Sequence, residues 1–338
     1  MAAVRILVLN AGSLADVVQM LPAFSDAKQA LPHIVIDTLV DERWAEVPSW
    51  HPAVDKVYAL PIKQWRRGFI SLMASDELKR LRLQLRKYSY DWVVDLHGNW
   101  LSAWFSRSFN ANCVGFSRLN NQKKAFSLLY NQRFPADAQL HRVEQIRRLF
   151  AQGMNYSLKF PICQYALDSK RFSHAYDESV VLCFGCRHVK RRYPIELGRE
   201  LIQSLVNSGL RVKLLWRDVQ SGDYIKGMAE GIPGVETMPK LKLSGIAAVM
   251  VQAKAILTVD NDLSHLAAAL ETPTICLLSV GSDRQTSAIG SKITQLKIEA
   301  SNQEDYSPSR LQQLLDELIH QQSSMKFSRH SLAHKNSA

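Results

Sequence analysis

Val4-Arg5-Ile6-Leu7-Val8-Leu9-Asn10-Ala11-Gly12-Ser13-Leu14-Ala15-Asp16 is the stretch on which the fold reading turns. Its first half is apolar without polar alternation, the pattern of a strand buried on both faces of a parallel sheet. Small residues break the run at positions 10–13. An amphipathic segment over 17–30 follows, with Val17, Met20, Leu21, Phe24 and Ala27 at helical spacing. Strand, loop and helix in this order predict that Asp16 lies at a helix start, just past the carboxyl end of the first strand. In open α/β sheets that edge binds ligands. Read locally, Asp16 is a helix N-cap, a position aspartate fills often.

The same alternation continues outward. Strands are predicted over 33–40, 56–60, 91–96 and 113–116, and helices over 75–87 and 141–152, with another ending at Phe105. Ser75 suits the cap of the first of these, and the prolines within 47–52 exclude regular structure there. Composition changes near 155–164, the expected linker. Beyond it strands are read at 179–184, 212–216, 255–259 and 274–278, and helices at 194–208, 223–230, 244–252, 263–270 and 307–320. Two such runs predict an α/β protein of two Rossmann-like, doubly wound domains facing each other across a cleft, over 1–155 and 165–320. The polar, basic, unpatterned stretch 321–338 is expected to be disordered.

A chain of 338 residues fits two domains of about 150 residues each. Its 46% hydrophobic and 22% charged residues are those of a globular protein. The net charge of +11 is the departure, and it predicts an anionic partner: nucleic acid, phosphorylated lipid headgroups or a nucleotide. No apolar run approaches the roughly 18 residues of a membrane span, since Gln252 and Lys254 interrupt the longest. Asn10 and Asp16 cut the first apolar run too short for a signal peptide, so a cytoplasmic protein is expected. Cys113, Cys163, Cys183, Cys186 and Cys276 are odd in number and scattered, as reduced thiols are. Cys183-Phe184-Gly185-Cys186 has redox spacing but closes a strand-like run instead of opening a helix.

Two further stretches carry chemistry. In Val259-Asp260-Asn261-Asp262-Leu263-Ser264-His265, a buried strand ends and a helix begins. Ser264 and His265 would then lie in a first helical turn, whose free N–H groups and positive dipole end favour a phosphate. The plain alternative is an aspartate cap with a surface histidine. In Arg187-His188-Val189-Lys190-Arg191-Arg192-Tyr193-Pro194, cations precede a helix N-terminus and oppose its dipole, a cost that an anion bound there would offset. The alternative is a solvated basic loop. Neither a P-loop nor GxGxxG is present, which counts against a dinucleotide oxidoreductase or an ATPase, and no Cys/His cluster has zinc spacing. Basic segments at 63–67, 79–87, 142–148 and 190–192 are spread over different elements without a recognised nucleic-acid module.

Together these positions resemble the heptosyltransferases of glycosyltransferase family nine, and within it the type I enzymes. Carrying the resemblance are the opening strand and loop with Asp16 and Leu21-Pro22-Ala23, then Asp41-Glu42-Arg43-Trp44-Ala45-Glu46-Val47-Pro48-Ser49-Trp50-His51-Pro52-Ala53-Val54, which is the most specific stretch. Asp95-Leu96-His97-Gly98, Tyr193-Pro194, Leu214-Leu215-Trp216 and Asp260 with Ser264-His265 fall in family order. The resemblance implies a GT-B fold and inverting transfer of a heptose from ADP-heptose to Kdo on nascent lipid A, without metal or other cofactor. It places the catalytic base at Asp16. It places donor contacts at Lys190, Arg191, Asp260, Asn261, Ser264 and His265, and contacts to the anionic acceptor at Lys63, Arg66, Arg67, Lys123 and Lys124. It also implies a cytoplasmic enzyme peripheral to the inner membrane, with no nucleic-acid partner.

Several positions depart from the family pattern. Ala15 replaces the glycine before the base, and Asp260-Asn261-Asp262 stands where Asp-Thr-Gly is usual. The ribose-binding glutamate falls at Ser221, beside Gly222 and Asp223, and the glycine preceding it at Arg217. Ser279-Val280-Gly281 replaces a Gly-Pro-Thr turn. A carboxylate at position 262 would repel a donor phosphate unless a cation pairs with it. Two alternatives follow: transfer of another sugar, such as a hexose, from a different nucleotide, or a catalytically lapsed homologue that binds anionic glycolipid.

Overall fold

In the computed structural model the described residues are 4–62, 76–98, 100–106, 109–117, 127–159, 163–172, 177, 179–186, 191–279, 282–297 and 306–335. The chain divides into two compact units, 1–168 with 284–286, and 169–283 with 287–338. The first contains β1 (Arg5–Asn10), α1 (Leu14–Ala30), β2 (Val35–Asp41), β3 (Val54–Leu60), α2 (Asp76–Arg86), β4 (Trp92–Asp95), α3 (Trp100–Ser106), β5 (Asn112–Phe116), β6 (Gln132–Phe134) and α4 (Arg142–Gly153). The second contains β7 (Ser179–Cys183), α5 (Ile195–Asn207), β8 (Arg211–Leu214), α6 (Val219–Ala229), β9 (Val235–Thr237), α7 (Leu243–Gln252), β10 (Ala255–Val259), α8 (Asp262–Ala269), β11 (Thr274–Leu278), β12 (Ile293–Lys297) and α9 (Pro308–Lys335).

Each unit has a six-stranded parallel sheet. The orders are β3-β2-β1-β4-β5-β6 and β12-β11-β10-β7-β8-β9. Counted from its own first strand, each unit has the same topology, the doubly wound order of nucleotide-binding folds. The strand order reverses between β1 and β4 in one sheet and between β7 and β10 in the other. In each case the two loops leaving those strands diverge and open a crevice at the carboxyl edge. The central strands are buried almost throughout, as their unbroken apolar runs require. Strands β6, β9 and β12 end their sheets, and they are short or only half-buried, so they carry little of the apolar signal that marks the central strands.

Helix α1 begins one turn earlier than its apolar spacing suggests. Ser13 is its N-cap and Asp16 its third residue, so Asp16 is not the cap. The 47–52 stretch, expected to lack regular structure, contains a 3-10 turn, Pro48–Trp50, the second of two after that at Glu42–Trp44. Pro48 opens the second, where a missing N–H costs nothing. Trp44, Val47, Trp50 and His51 are buried, so the most family-specific stretch is largely packing. His51 accepts the Ala53 N–H at Nδ1 and meets Ser25 Oγ at Nε2, and burial lowers its pKa from 6.5 to about 4. Arg147 on α4 is buried and grips both Asp26 oxygens on α1, at 2.6 and 3.2 Å.

Residues 321–335, within the stretch expected to be disordered, are helical. Helix α9 continues to Lys335, in keeping with a stretch that holds no proline or glycine after Pro308. Cys183 and Cys186 are buried and not joined in a disulfide, and burial pushes the Cys183 thiol up, away from the reactive thiolate a redox pair needs.

Candidate active site

The first unit places an acid at its crevice. The β1–α1 loop is tied from within: Asn10 Oδ1 accepts the Gly12 N–H at 3.1 Å, and Asn10 Nδ2 donates to the Asp16 carbonyl at 2.9 Å. Ser13 and Asp16 form a reciprocal capping box. The Ser13 N–H and hydroxyl both donate to Asp16 Oδ2, at 2.7 and 2.8 Å, while Ser13 Oγ accepts the Asp16 N–H at 3.3 Å. These bonds hold one carboxylate oxygen; Oδ1 accepts none among the described residues. Only glycine at position 12 leaves Asp16 where it is, because a Cβ there would lie 2.4 Å from Asp16 Oδ2.

Across the crevice, β4 delivers Leu96, His97 and Gly98. Asp95 Oδ1 accepts the His97 and Gly98 N–H groups, both at 2.9 Å, and its other oxygen accepts the Tyr130 hydroxyl at 2.7 Å. Arg142 donates from Nη2 to the Leu96 carbonyl at 2.8 Å, and its guanidinium lies over the Phe116 ring. Burial pulls the Arg142 pKa down to about 10, and the Asp16 carboxylate nearby works against that shift. Arg142 therefore stays a cation at neutral pH and sets a positive charge beside the acid. In the sequence it stands only among the basic residues of a helix. A sharper signal was available: as the first residue of α4, it opposes the helix dipole.

The second unit places charge pairs at the equivalent crevice. Asn261 caps α8: its Oδ1 accepts the Leu263 and Ser264 N–H groups at 2.8 and 3.1 Å. Its Nδ2 donates to the carbonyls of Cys183 and Gly185 at the end of β7, at 3.1 and 2.9 Å. Ser264 is fully buried and its hydroxyl donates to the Asn261 carbonyl. Two of the first-turn amides expected to be open to a phosphate are therefore already occupied. Asn261 and Ser264 build the turn instead of presenting donors on it. His265 is buried behind them. Charge borders this turn: the half-buried Arg191 reaches the buried Asp260 at 3.4 Å, and the partly exposed Arg217 is bonded to Asp262.

Of the expected site residues, Asp16 stands at the first crevice, and Arg191, Asp260, Asn261, Ser264 and His265 gather at the second. Lys63, Arg66, Arg67, Lys123, Lys124 and Lys190 lie outside the described residues. Ser221, at the position of a ribose-binding glutamate, is buried and bonded to Asp218 at the cap of α6, and Gly185 packs against it. The neighbouring Arg192 is committed to the fold, donating to the Cys186 carbonyl at 2.7 Å.

Known proteins bear on this geometry. The family model for glycosyltransferase family 9 (heptosyltransferase) matches residues 78–314. The Pseudomonas aeruginosa protein named lipopolysaccharide heptosyltransferase 1 is 34% identical over 289 residues, covering 85% of this chain and 81% of its own. Its Escherichia coli K12 namesake is 36% identical over 275 residues, covering 80% and 86%. The solved structure of E. coli heptosyltransferase WaaC with ADP superposes with a TM-score of 0.83 at 31% identity, over 93% of this chain and 99% of that one. The WaaC structure with ADP-2-deoxy-2-fluoro heptose gives 0.82 at 32% identity. Twin doubly wound units and likeness to these structures agree with the GT-B fold expected from the sequence, and this chain is a glycosyltransferase that belongs to family 9, the heptosyltransferases.

Proposed function

We propose that this enzyme transfers a heptose from ADP-heptose to Kdo of the lipopolysaccharide inner core, with inversion at the anomeric carbon. The observation that carries the reading is Asp16, a carboxylate held rigidly at the carboxyl edge of a nucleotide-fold sheet with one oxygen left for a reacting group. In the proposed step an acceptor hydroxyl oxygen forms a bond to the sugar's anomeric carbon. The bond from that carbon to the diphosphate oxygen breaks, and Asp16 takes the hydroxyl proton as general base. The departing ADP carries the developing negative charge, and Arg191 with the positive end of α8 would stabilise it.

On this reading residues 1–155 hold the acceptor and 165–320 the nucleotide sugar. Lys63, Arg66, Arg67, Lys123 and Lys124 would meet the acceptor's anionic groups. Among the described residues no helix is long and apolar enough to cross a membrane. The net charge of +11 supports attachment to an anionic membrane face by electrostatics.

The test is direct. Purified protein is given Kdo-lipid A and a panel of nucleotide sugars, and nucleoside diphosphate release is followed. ADP-heptose is expected to be consumed and a heptosylated product to appear by mass spectrometry. Turnover of a nucleotide hexose with none of ADP-heptose would replace the donor assignment. Binding of Kdo-lipid A without turnover of any donor would mark a lapsed enzyme.

A further inference from the structure

The start of α8 has an unusual charge arrangement for a place that receives an anion. Asp262 is the first residue of the helix, where the dipole's positive end attracts negative charge. A carboxylate there competes with a diphosphate for the same potential and repels it. Arg217 answers this charge. It leaves the loop after β8, and the sheet order β10-β7-β8 places β7 between that loop and α8. The Arg217–Asp262 bond therefore spans the carboxyl end of β7, at the strand-order switch of the second unit, linking residues 45 apart in sequence. Both side chains are partly exposed, at 16% and 28%, so the pair borders the crevice and is not buried scaffolding.

We propose that Arg217 and Asp262 act as one specificity-determining unit of the donor site, the arginine neutralising the carboxylate so that the α8 start accepts a nucleoside diphosphate. The proposal rests on the reading that this turn holds the donor. It makes the two positions interdependent: the carboxylate is not tolerated without the arginine, and their joint removal is tolerated. Arg217 is a positioning residue here, acting through Asp262 and the local potential.

The experiment is a double-mutant cycle with ADP as the probe, read by calorimetry, together with donor KM and kcat. Arg217→Gly is expected to weaken ADP about tenfold by exposing a like charge, with donor KM rising and kcat nearly unchanged. Arg217→Lys keeps the charge and should stay within about threefold of the parent. The double variant Arg217→Gly, Asp262→Gly should also return to within about threefold, which a merely structural arginine would not allow. A double variant as weak as Arg217→Gly alone overturns the proposal. Arg191→Ala separates it from the underlying donor reading. If Arg191→Ala weakens ADP while Arg217→Gly does not, only the paired unit fails; if both leave ADP binding unchanged, the donor site itself is misplaced. Melting curves in the absence of ADP identify any variant that has lost its fold, and for such a variant Arg217→Gln replaces Arg217→Gly in the cycle.

Discussion

The two halves of this enzyme share one topology and put opposite chemistry at the same place in it. In each, the first strand of the unit is flanked by the strand that reverses the winding, and the loops leaving this pair make the crevice. In the first half the loop after β1 is built around a single carboxylate, with Asn10, Gly12 and Ser13 spent on fixing it. In the second, the loop after β10 is built around an amide, Asn261, which is consumed entirely by the backbone and is bordered by two arginine–aspartate pairs. Topology thus decides where a ligand binds, and a handful of loop side chains decide what it is. A fixed acid suits proton removal. Paired cations at a helix start suit a leaving diphosphate.

That division of labour is breakable. Asp16→Asn keeps the shape of the capping box and removes the proposed base, so kcat should fall by about 10²–10⁴ while ADP affinity stays unchanged. If ADP binding collapsed with kcat, the halves would not be chemically separate. Gly12→Ala is expected next. Its methyl would displace Asp16 Oδ2, and a shift of about 1 Å in a reacting group costs about a hundredfold in rate. Steady-state kinetics with an unaltered donor KM would locate that effect in the first half. In the second half Asn261→Ala removes four hydrogen bonds joining β7 to α8 and should cost roughly 2 kcal/mol of stability in urea denaturation, with donor KM raised. An unchanged midpoint would show that the turn does not depend on its cap.

The smallest expected effect concerns His51, which packs against Phe24 and Ser25 of α1. Its folded pKa of about 4 lies below the ordinary 6.5, so between these values the unfolded chain binds a proton that the folded chain excludes. Stability from this group is complete above pH 6.5 and falls by about 1.4 kcal/mol per unit as pH drops toward 4. Comparing denaturation at pH 7.5 and 5.5 in the parent and in His51→Gln isolates it. Equal pH dependence in both proteins would remove His51 as the cause.

Much of the fold was legible because buried parallel strands advertise themselves. Residues 4–9, 180–184 and 255–259 are apolar runs that only a two-sided core accommodates. The edge strands β6, β9 and β12 were missed, since short strands with half-exposed faces have no such run. Asp16 was found as a residue but not in its true position. Apolar spacing begins at Val17, whereas the helix starts where Ser13 can satisfy its amides. At the donor side, residue type does not show how a side chain is already bonded. Asn261 and Ser264 have the chemistry of ligand contacts, and the structure turns both inward.

The sequence by itself determined two α/β units, the strand–loop–helix that presents Asp16, and the family, because these follow from local patterns of apolar and turn-forming residues. Only the tertiary structure decided which polar groups remain available to a substrate. Hydrogen-bond satisfaction is a property of neighbours distant in the chain, and Arg217 meets Asp262, and Asn261 meets Cys183 and Gly185, only after the sheet has formed.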